Sequence, residues 1–307
     1  MKAVMYHYVR PVDANMPFFK ALHIDDFKKQ LDYFEQEFGI ATYEDMLEVK
    51  NGKLLDKIIL TFDDAISDHY EYVFPELKKR GITGVFYIPT QPYLNNKMLD
   101  VHKVHLILGS IESKIVLEKL NSYISYGMLQ HTNEFEEKTY NYQTNDECTL
   151  QVKRILNYFL SYQYRTKIID MLFLELLGEQ SDYCASFYMN TAQLKELSDN
   201  AMIIGSHSIS HPVFSRLSKD LQRVEIEDSF NFLSELGVIN DFKTFCYPYG
   251  GDHSFNQDTV DLLNESNVDF SFSVDPCDIK TLDLNKIQTL SRYDCNHFKY
   301  GQCRTVL

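Results

Sequence analysis

The chain has 307 residues, of which 44% are hydrophobic and 24% are charged, as in an ordinary folded protein. A formal net charge of −14 argues against a nucleic acid or an anionic membrane surface as the main partner. No apolar run reaches the length of about 18 residues that a membrane span needs, and the amino-terminal sequence has no secretion signal. We therefore expect a cytoplasmic protein without a membrane span.

Strands and helices alternate along the chain up to about residue 100. Short β-branched or aromatic runs predict strands at residues 3–8, 58–62 and 83–89, and apolar residues at helical spacing predict helices at 27–38, 43–49 and 70–80. Asp25 or Asp26 is the predicted cap of the first helix, and Gly39 and Gly81 are predicted to end the first and the third. This order indicates a parallel sheet covered by helices.

The alternation breaks at about residues 101–180, where two long helical patterns, at 101–126 and 150–177, flank a polar linker at 131–147. Strands are predicted again at 202–205, 242–247, 270–274 and 290–293. Thr191 is the predicted cap of one helix, and further helices are predicted at 220–236 and 256–266. We therefore predict an α/β fold, a distorted (β/α) barrel of about seven strands. It would form one domain over residues 1–307, with a helical insertion at about 101–180.

Six cysteines are present, and no two of them have the CxxC spacing of a zinc knuckle or a redox pair. Cysteines of a cytoplasmic protein stay reduced. We therefore expect reduced, mostly buried structural thiols.

Two adjacent carboxylates, Asp63 and Asp64, follow the strand predicted at residues 58–62. In βα folds the loops at the carboxyl ends of the strands converge on one opening, and that opening carries the chemistry. Adjacent aspartates repel each other there unless a cation or a donor separates their roles. His7, at the end of the first predicted strand, is expected to face the same opening. This arrangement favours a metal ion on one of the two aspartates.

Two histidines four residues apart, His207 and His211, follow the strand predicted at residues 202–205. One turn between them would direct both imidazoles at a cation such as Zn²⁺, and a carboxylate from residues 63–64 would complete three ligands. The competing interpretation is that the histidines cap a turn and the aspartates cap a helix. Two imidazoles and one carboxylate suit a single Zn²⁺, with Co²⁺, Ni²⁺ or Fe²⁺ as alternatives.

The chain resembles the polysaccharide deacetylases of carbohydrate esterase family 4, which have the NodB homology fold. The resemblance rests on three motifs in the expected order: TFDD at 61–64, HSISH at 207–211 and FCYPYG at 245–250. It covers about residues 1–100 and 183–300 and leaves out the predicted insertion.

The resemblance implies a metal-dependent hydrolase and assigns roles by position. Asp64, His207 and His211 would be the metal ligands, and Asp63 would be the general base that takes a proton from the attacking water. A backbone N–H between residues 247 and 250 would help to bind the oxyanion. The residues predicted to contact the substrate are His7, Tyr247, Pro248 and Tyr249.

The sequence departs from the family pattern at two catalytic positions. The family usually has an arginine in the third motif, where it orients the base, and this chain has no arginine there. Arg292, on the last predicted strand, is the candidate replacement. The family's general acid is a histidine in a late leucine-containing motif; His297 is the nearest late histidine here, with His7 and His105 as alternatives.

We therefore predict a carbohydrate N-deacetylase whose substrate is an N-acetylated sugar. Because a cytoplasmic protein is expected, the substrate would be a precursor of a polysaccharide or surface glycan. Related proteins of this fold also hydrolyse cyclic amides, which is the second interpretation. A non-catalytic glycan-binding relative is the third. The oligomeric state is left open.

Overall fold

The computed structural model describes residues 1–140 and 145–306, and the chain divides into two compact units. The first unit contains Met1–Pro11, Ala21–Asn95 and Ala185–Cys303. The second contains Val12–Lys20, Asn96–Cys184 and the residues from Arg304 onward. The second unit includes the predicted insertion, and the arrangement as one domain with an insertion stays a prediction.

The first unit is built on a seven-stranded sheet in which every pair of neighbouring strands is parallel. The strands are β1 (Lys2–Tyr6), β2 (Ile58–Asp63), β3 (Gly84–Ile88), β4 (Ile203–Ser206), β5 (Thr244–Cys246), β6 (Phe270–Phe272) and β7 (Tyr293–Asp294). Their order across the sheet is β6-β5-β4-β3-β2-β1-β7. All seven predicted strands are therefore present, and the predicted fold class is confirmed.

The two edges of the sheet meet just before β7. Leu290 forms a parallel bridge with Phe272 of β6, its N–H donates to the carbonyl of Ser271 at 3.0 Å, and its carbonyl accepts from Ser273 at 2.9 Å. Three residues later the same segment pairs with β1. Residues 290–294 thus close the sheet into a distorted barrel, and Arg292 lies on the closing segment.

Side chains of β2 alternate between the barrel interior and the outer helical layer. Ile59 belongs to the interior cluster with Val85, whereas Leu60 belongs to the outer cluster with Phe27. Because side chains alternate along a strand, Asp63 lies on the same face as Ile59. The last residue of β2 therefore directs its carboxylate to the inside of the barrel.

Helices cover the outside of this sheet. In the first unit they are α1 (Ile24–Glu37), α2 (Tyr43–Lys50), α3 (Phe74–Arg80), α4 (Gln91–Asn95), α11 (Thr191–Asp199), α12 (Lys219–Glu235) and α13 (Gln257–Glu265). The predicted cap of α1 is wrong: His23 caps the helix, and its ring nitrogen accepts from the N–H of Asp25. Asp25 and Asp26 lie in the first turn, where carboxylates favour the helix dipole.

The second unit is helical. Its helices are α5 (Asp100–Ser110), α6 (Ser113–Tyr123), α7 (Thr132–Lys138), α8 (Glu147–Arg154) and α9 (Tyr162–Leu177), and α10 (Ser181–Phe187) contains the boundary between the units. The two long predicted helices are therefore interrupted, because Ile111 and Leu160 adopt extended backbone conformations. Residues 141–144 of the predicted polar linker lie outside the described residues. Within the described ranges, every helix is too short or too polar to span a bilayer.

Candidate active site

The backbone turns sharply between the two adjacent aspartates. Asp63 is the last residue of β2, whereas Asp64 and Ala65 adopt left-handed conformations with φ of 82° and 56°. Such conformations are costly for residues other than glycine and are concentrated at functional sites. The N–H of Asp64 donates to the carbonyl of Tyr87 on β3, which fixes the turn. The two carboxylates are thereby directed at different neighbours.

The structure brings Asp64, His207 and His211 together. The Nε2 atoms of His207 and His211 lie 3.5 and 3.6 Å from the same carboxylate oxygen, Asp64 Oδ1. All three side chains are buried. Two ligand atoms held at about 2.1 Å by one tetrahedral zinc ion are about 3.4 Å apart, so the two observed separations fit ligand atoms placed around one such ion.

A hydrogen bond sets the tautomer of His207. Its Nδ1–H donates to the backbone carbonyl of Cys246 at 2.7 Å, because a carbonyl can only accept. Burial lowers the pKa of His207 against the raising effect of Asp63 and Asp64, which favours the neutral ring. In that form Nε2 carries the lone pair that faces Asp64. A ring held through one nitrogen and open at the other is the usual arrangement of a metal-ligating histidine.

Asp63 lies outside this set of three and pairs with Arg292. The guanidinium Nη1 and Nη2 atoms donate to Asp63 Oδ1 and Oδ2, both at 2.8 Å, and both side chains are buried. Burial would raise the pKa of Asp63, but the charge and hydrogen bonds of Arg292 lower it to about 2. Nη1 also donates to Thr61 Oγ1 at 2.9 Å, which orients the fork. Asp63 is therefore held ionised in a fixed orientation.

Cys246 touches the same ion pair. Its thiol donates to Asp63 Oδ2 at 3.5 Å, and Arg292 Nη2 lies 2.8 Å from the sulfur. Asp63, His207 and Cys246 could geometrically hold a cation of their own. Burial raises the pKa of this thiol, which keeps it protonated. The positively charged guanidinium of Arg292 already contacts both Asp63 and Cys246, where a cation would have to lie. The donor set of Asp64, His207 and His211 is therefore the better fit to a metal ion.

His7 lies at the edge of the cluster. Its Nε2 is 3.9 Å from Asp64 Oδ2, and its side chain is 35% exposed, in contrast to the buried ligand set. The backbone carbonyl of His7 accepts a hydrogen bond from His69 Nε2–H at 2.7 Å. His69 is the first residue of a π-helical turn (His69–Val73) and is fully buried between Phe62 and Phe86. This contact anchors the carboxyl end of β1 beside the site.

The other predicted site residues differ in position. The ring of Tyr249 lies 4.9 Å from that of His211, next to the buried Pro248. Tyr247 is buried, its hydroxyl donates to the carbonyl of Gln288, and its N–H donates to Phe272. The N–H of Tyr247 therefore pairs with β6, and the oxyanion donor predicted between residues 247 and 250 stays a prediction.

His297 is exposed and contacts neighbours outside the cluster. Its Nδ1–H donates to the carbonyl of Asp294 at 3.1 Å, and its ring packs edge-on against Tyr293. His105, the other alternative acid, lies on α5 in the second unit. The role predicted for His297 stays a prediction.

Three side chains that support the site residues were not recognised from the sequence: Cys246, His69 and Glu225. Cys246 stood in a recognised motif, but its contact with Asp63 depends on the closure of the barrel. Glu225, on the helix predicted at 220–236, accepts hydrogen bonds from the N–H groups of Ile209 and Ser210 between the two histidines, and His69 precedes the helix predicted at 70–80. No spacing distinguishes either residue from an ordinary surface residue. Their contacts become visible only in three dimensions.

A family model described as polysaccharide deacetylase matches residues 176–271. The match includes His207, His211 and the third motif, and it does not include Asp63 or Asp64. A comparison with curated protein sequences found no significant match.

Several solved structures share the fold. The deacetylase PplD of Streptococcus pyogenes, solved in complex with acetate, is 16% identical with a TM-score of 0.57, over 96% of this chain and 91% of that protein. A polysaccharide deacetylase of Bacillus cereus is 12% identical with a TM-score of 0.53, over 95% of this chain and 64% of that protein. A de-N-acetylase of Aggregatibacter actinomycetemcomitans is 13% identical with a TM-score of 0.51, over 95% and 93%. The family match confirms the resemblance to the polysaccharide deacetylases over residues 176–271, and the solved structures show that the fold is shared.

Proposed function

We propose that this chain is a metal-dependent N-deacetylase that removes the acetyl group from an N-acetylated amino sugar of a polysaccharide or glycan precursor. One observation carries the proposal: Asp64 gathers His207 and His211 around one oxygen, while the adjacent Asp63 is held ionised by Arg292. An amide hydrolase needs an electrophile and a base side by side. The match of residues 176–271 to the deacetylase family supports the sugar as substrate.

The metal would be held by Asp64, His207 and His211. A divalent ion bound there would supply an electrophile for the acetamide carbonyl and would acidify a water molecule. Zn²⁺ is the ion we expect, and Co²⁺, Ni²⁺ and Fe²⁺ suit the same donor set. The hydrogen bond from His207 Nδ1 to the carbonyl of Cys246 leaves the lone pair of Nε2 available to bind the ion.

Asp63 would accept the proton of the attacking water. Because Arg292 lowers its pKa to about 2, this carboxylate is ionised at every pH at which the protein would work. The same pairing makes it a weak base, so its contribution depends on position more than on basicity. The two-point contact with Arg292 supplies that position.

His7 is the histidine that the geometry favours as general acid. Its Nε2 lies 3.9 Å from Asp64 Oδ2, and its side chain is 35% exposed, at the boundary between the site and solvent. A donor in that place can reach the nitrogen of a bound acetamide and exchange protons with water. His297 contacts residues 293 and 294 instead. Tyr249, beside His211, would form part of the wall that contacts the sugar.

An acetate-release assay with purified protein and added Zn²⁺ tests the proposal. The substrates are N-acetylglucosamine oligomers and UDP-N-acetylglucosamine, which separate a polymer from a precursor, and a cyclic imide such as succinimide. We expect acetate from at least one sugar, and release slower by about 10²-fold or more from Asp63→Asn as the control. Opening of the imide without acetate release would replace the proposal with the cyclic-amide alternative. Metal binding without any hydrolysis would favour the glycan-binding alternative.

A further inference from the structure

The three residues between the two histidines, residues 208–210, are called the ligand loop here. Its first residue, Ser208, and the histidine that follows it, His211, adopt left-handed conformations, with φ of 68° and 57°. These conformations are unfavourable for residues with a Cβ and persist only when their surroundings impose them. The positions of both imidazoles therefore depend on what holds this loop.

Backbone amides hold the carbonyl side of the ligand loop. The N–H of Thr90 donates to the carbonyl of Ser208 at 3.1 Å, and the N–H of Gln91 donates to that of Ile209 at 3.0 Å. Ser208 Oγ also accepts from the N–H of His211, the residue that follows the loop, at 3.1 Å. These contacts fix one side of the loop against the end of β3.

One carboxylate holds the amide side. Glu225 Oε2, from α12, accepts from the backbone N–H groups of Ile209 and Ser210 at 2.8 and 2.9 Å. Its Oε1 accepts from Ser210 Oγ at 2.6 Å. Three donors of a three-residue loop thus converge on one side chain that contacts neither imidazole.

We infer that Glu225 is a positioning residue for the metal centre: it holds the ligand loop in the strained conformation that directs His207 and His211 at Asp64. The inference rests on the proposed metal site and adds a residue from outside the three motifs. Because the role is geometric, the amide of Glu225→Gln can replace the carboxylate. Its oxygen accepts from the two N–H groups, and its NH₂ donates to Ser210 Oγ.

The experiment measures two properties that do not depend on catalysis. The first is Zn²⁺ affinity, by competition with a chelator; the second is hydrogen exchange at the amides of Ile209 and Ser210 in the metal-free protein. The variants are Glu225→Ala and Glu225→Gln. Glu227→Ala is the matched control, because Glu227 lies on the same helix, is exposed and pairs with Arg223.

We expect Glu225→Ala to bind Zn²⁺ about 10- to 100-fold more weakly, as when other supports of metal ligands are removed, and to exchange both amides faster. Glu225→Gln is expected to stay within about threefold of the wild type, and the control to be unchanged. If Glu225→Ala does not fold, Ser210→Ala, which removes one donor, should show a smaller loss in the same direction.

Zinc binding by Glu225→Ala as tight as that of the control would overturn the inference and leave the proposed function intact. A Glu225→Gln variant as weak as Glu225→Ala would also overturn it, since charge and not position would then be responsible. A wild-type protein that binds no Zn²⁺ would overturn the inference together with the proposed function.

Discussion

Arg292 and Asp63 are 229 residues apart in sequence and form a buried ion pair with two hydrogen bonds of 2.8 Å. Arg292 comes from the segment that closes the barrel, and Asp63 ends the strand beside the proposed metal ligands. The segment that closes the barrel therefore also orients the proposed base. The pair makes a specific prediction about stability.

Arg292→Met leaves the Asp63 carboxylate buried and unpaired, so we expect it to lower the free energy of unfolding by about 3–5 kcal/mol. Urea denaturation measures the change. Arg223→Met, which removes an exposed arginine paired with Glu227 and Glu265, is the control and should leave the free energy of unfolding almost unchanged. Recovery of most of the loss in the double variant Asp63→Asn/Arg292→Met would support the explanation; an equal loss in Arg292→Met and the control would contradict it.

The two adjacent aspartates should respond differently to the same substitution. Asp64→Asn removes the proposed anionic ligand, so we expect loss of both bound metal and activity. Asp63→Asn removes the proposed base, and we expect kcat to fall by about 10²- to 10⁴-fold while the metal content stays that of the wild type. Metal analysis and acetate release on the same samples separate the two. Loss of metal in both variants would mean that the aspartates do not divide the roles as proposed.

The sequence was sufficient to predict the sheet and the residues that gather around Asp64. Ile58–Asp63 could be recognised as a strand because a short β-branched run followed by polar residues is typical of a buried strand and its carboxyl end. His207 and His211 could be placed beside Asp64 because the carboxyl ends of parallel strands lie at one end of the sheet. These inferences use only local patterns and one rule of topology.

Other features depend on tertiary contacts that no local pattern records. Helical periodicity continues through Ile111 and Leu160, where the backbone is extended, so the breaks in the second unit could not be predicted from the sequence. The hydrogen bonds of Glu225 and His69 to backbone atoms of distant segments leave no trace in composition or spacing. Arg292 could be named as a candidate, but its contact with Asp63 required the closing bridge.

The general acid can be identified by comparing two histidines. We expect His7→Gln to lower kcat by about 10²- to 10⁴-fold without loss of metal, because the imidazole beside Asp64 would no longer donate a proton. His297→Gln is the control and should leave kcat unchanged, since its contacts are with Asp294 and Tyr293. Steady-state kinetics over a range of pH measures both. The opposite result, with activity lost only in His297→Gln, would show that His297 is the general acid, as predicted from the sequence.

His69 should make the metal-free protein sensitive to mild acid. Burial lowers the pKa of His69 from 6.5 to about 4, so between these values the unfolded chain binds a proton that the folded chain does not. Stability is therefore lost as the pH falls through this window. Between pH 6 and 5 the wild type should lose about 1 kcal/mol more than His69→Gln, whose amide can still donate to His7. Urea denaturation at both pH values tests this, and equal losses in the two proteins would contradict it.

The most direct test of the account is the metal content of the purified protein after loading with Zn²⁺ and removal of unbound metal, measured by mass spectrometry. We predict about one ion per chain for the wild type and for Asp63→Asn, and almost none for Asp64→Ala or for His207→Ala/His211→Ala. Equal metal content in the wild type and in the variants that lack Asp64 or both histidines would contradict the account, because the ion would then be bound elsewhere.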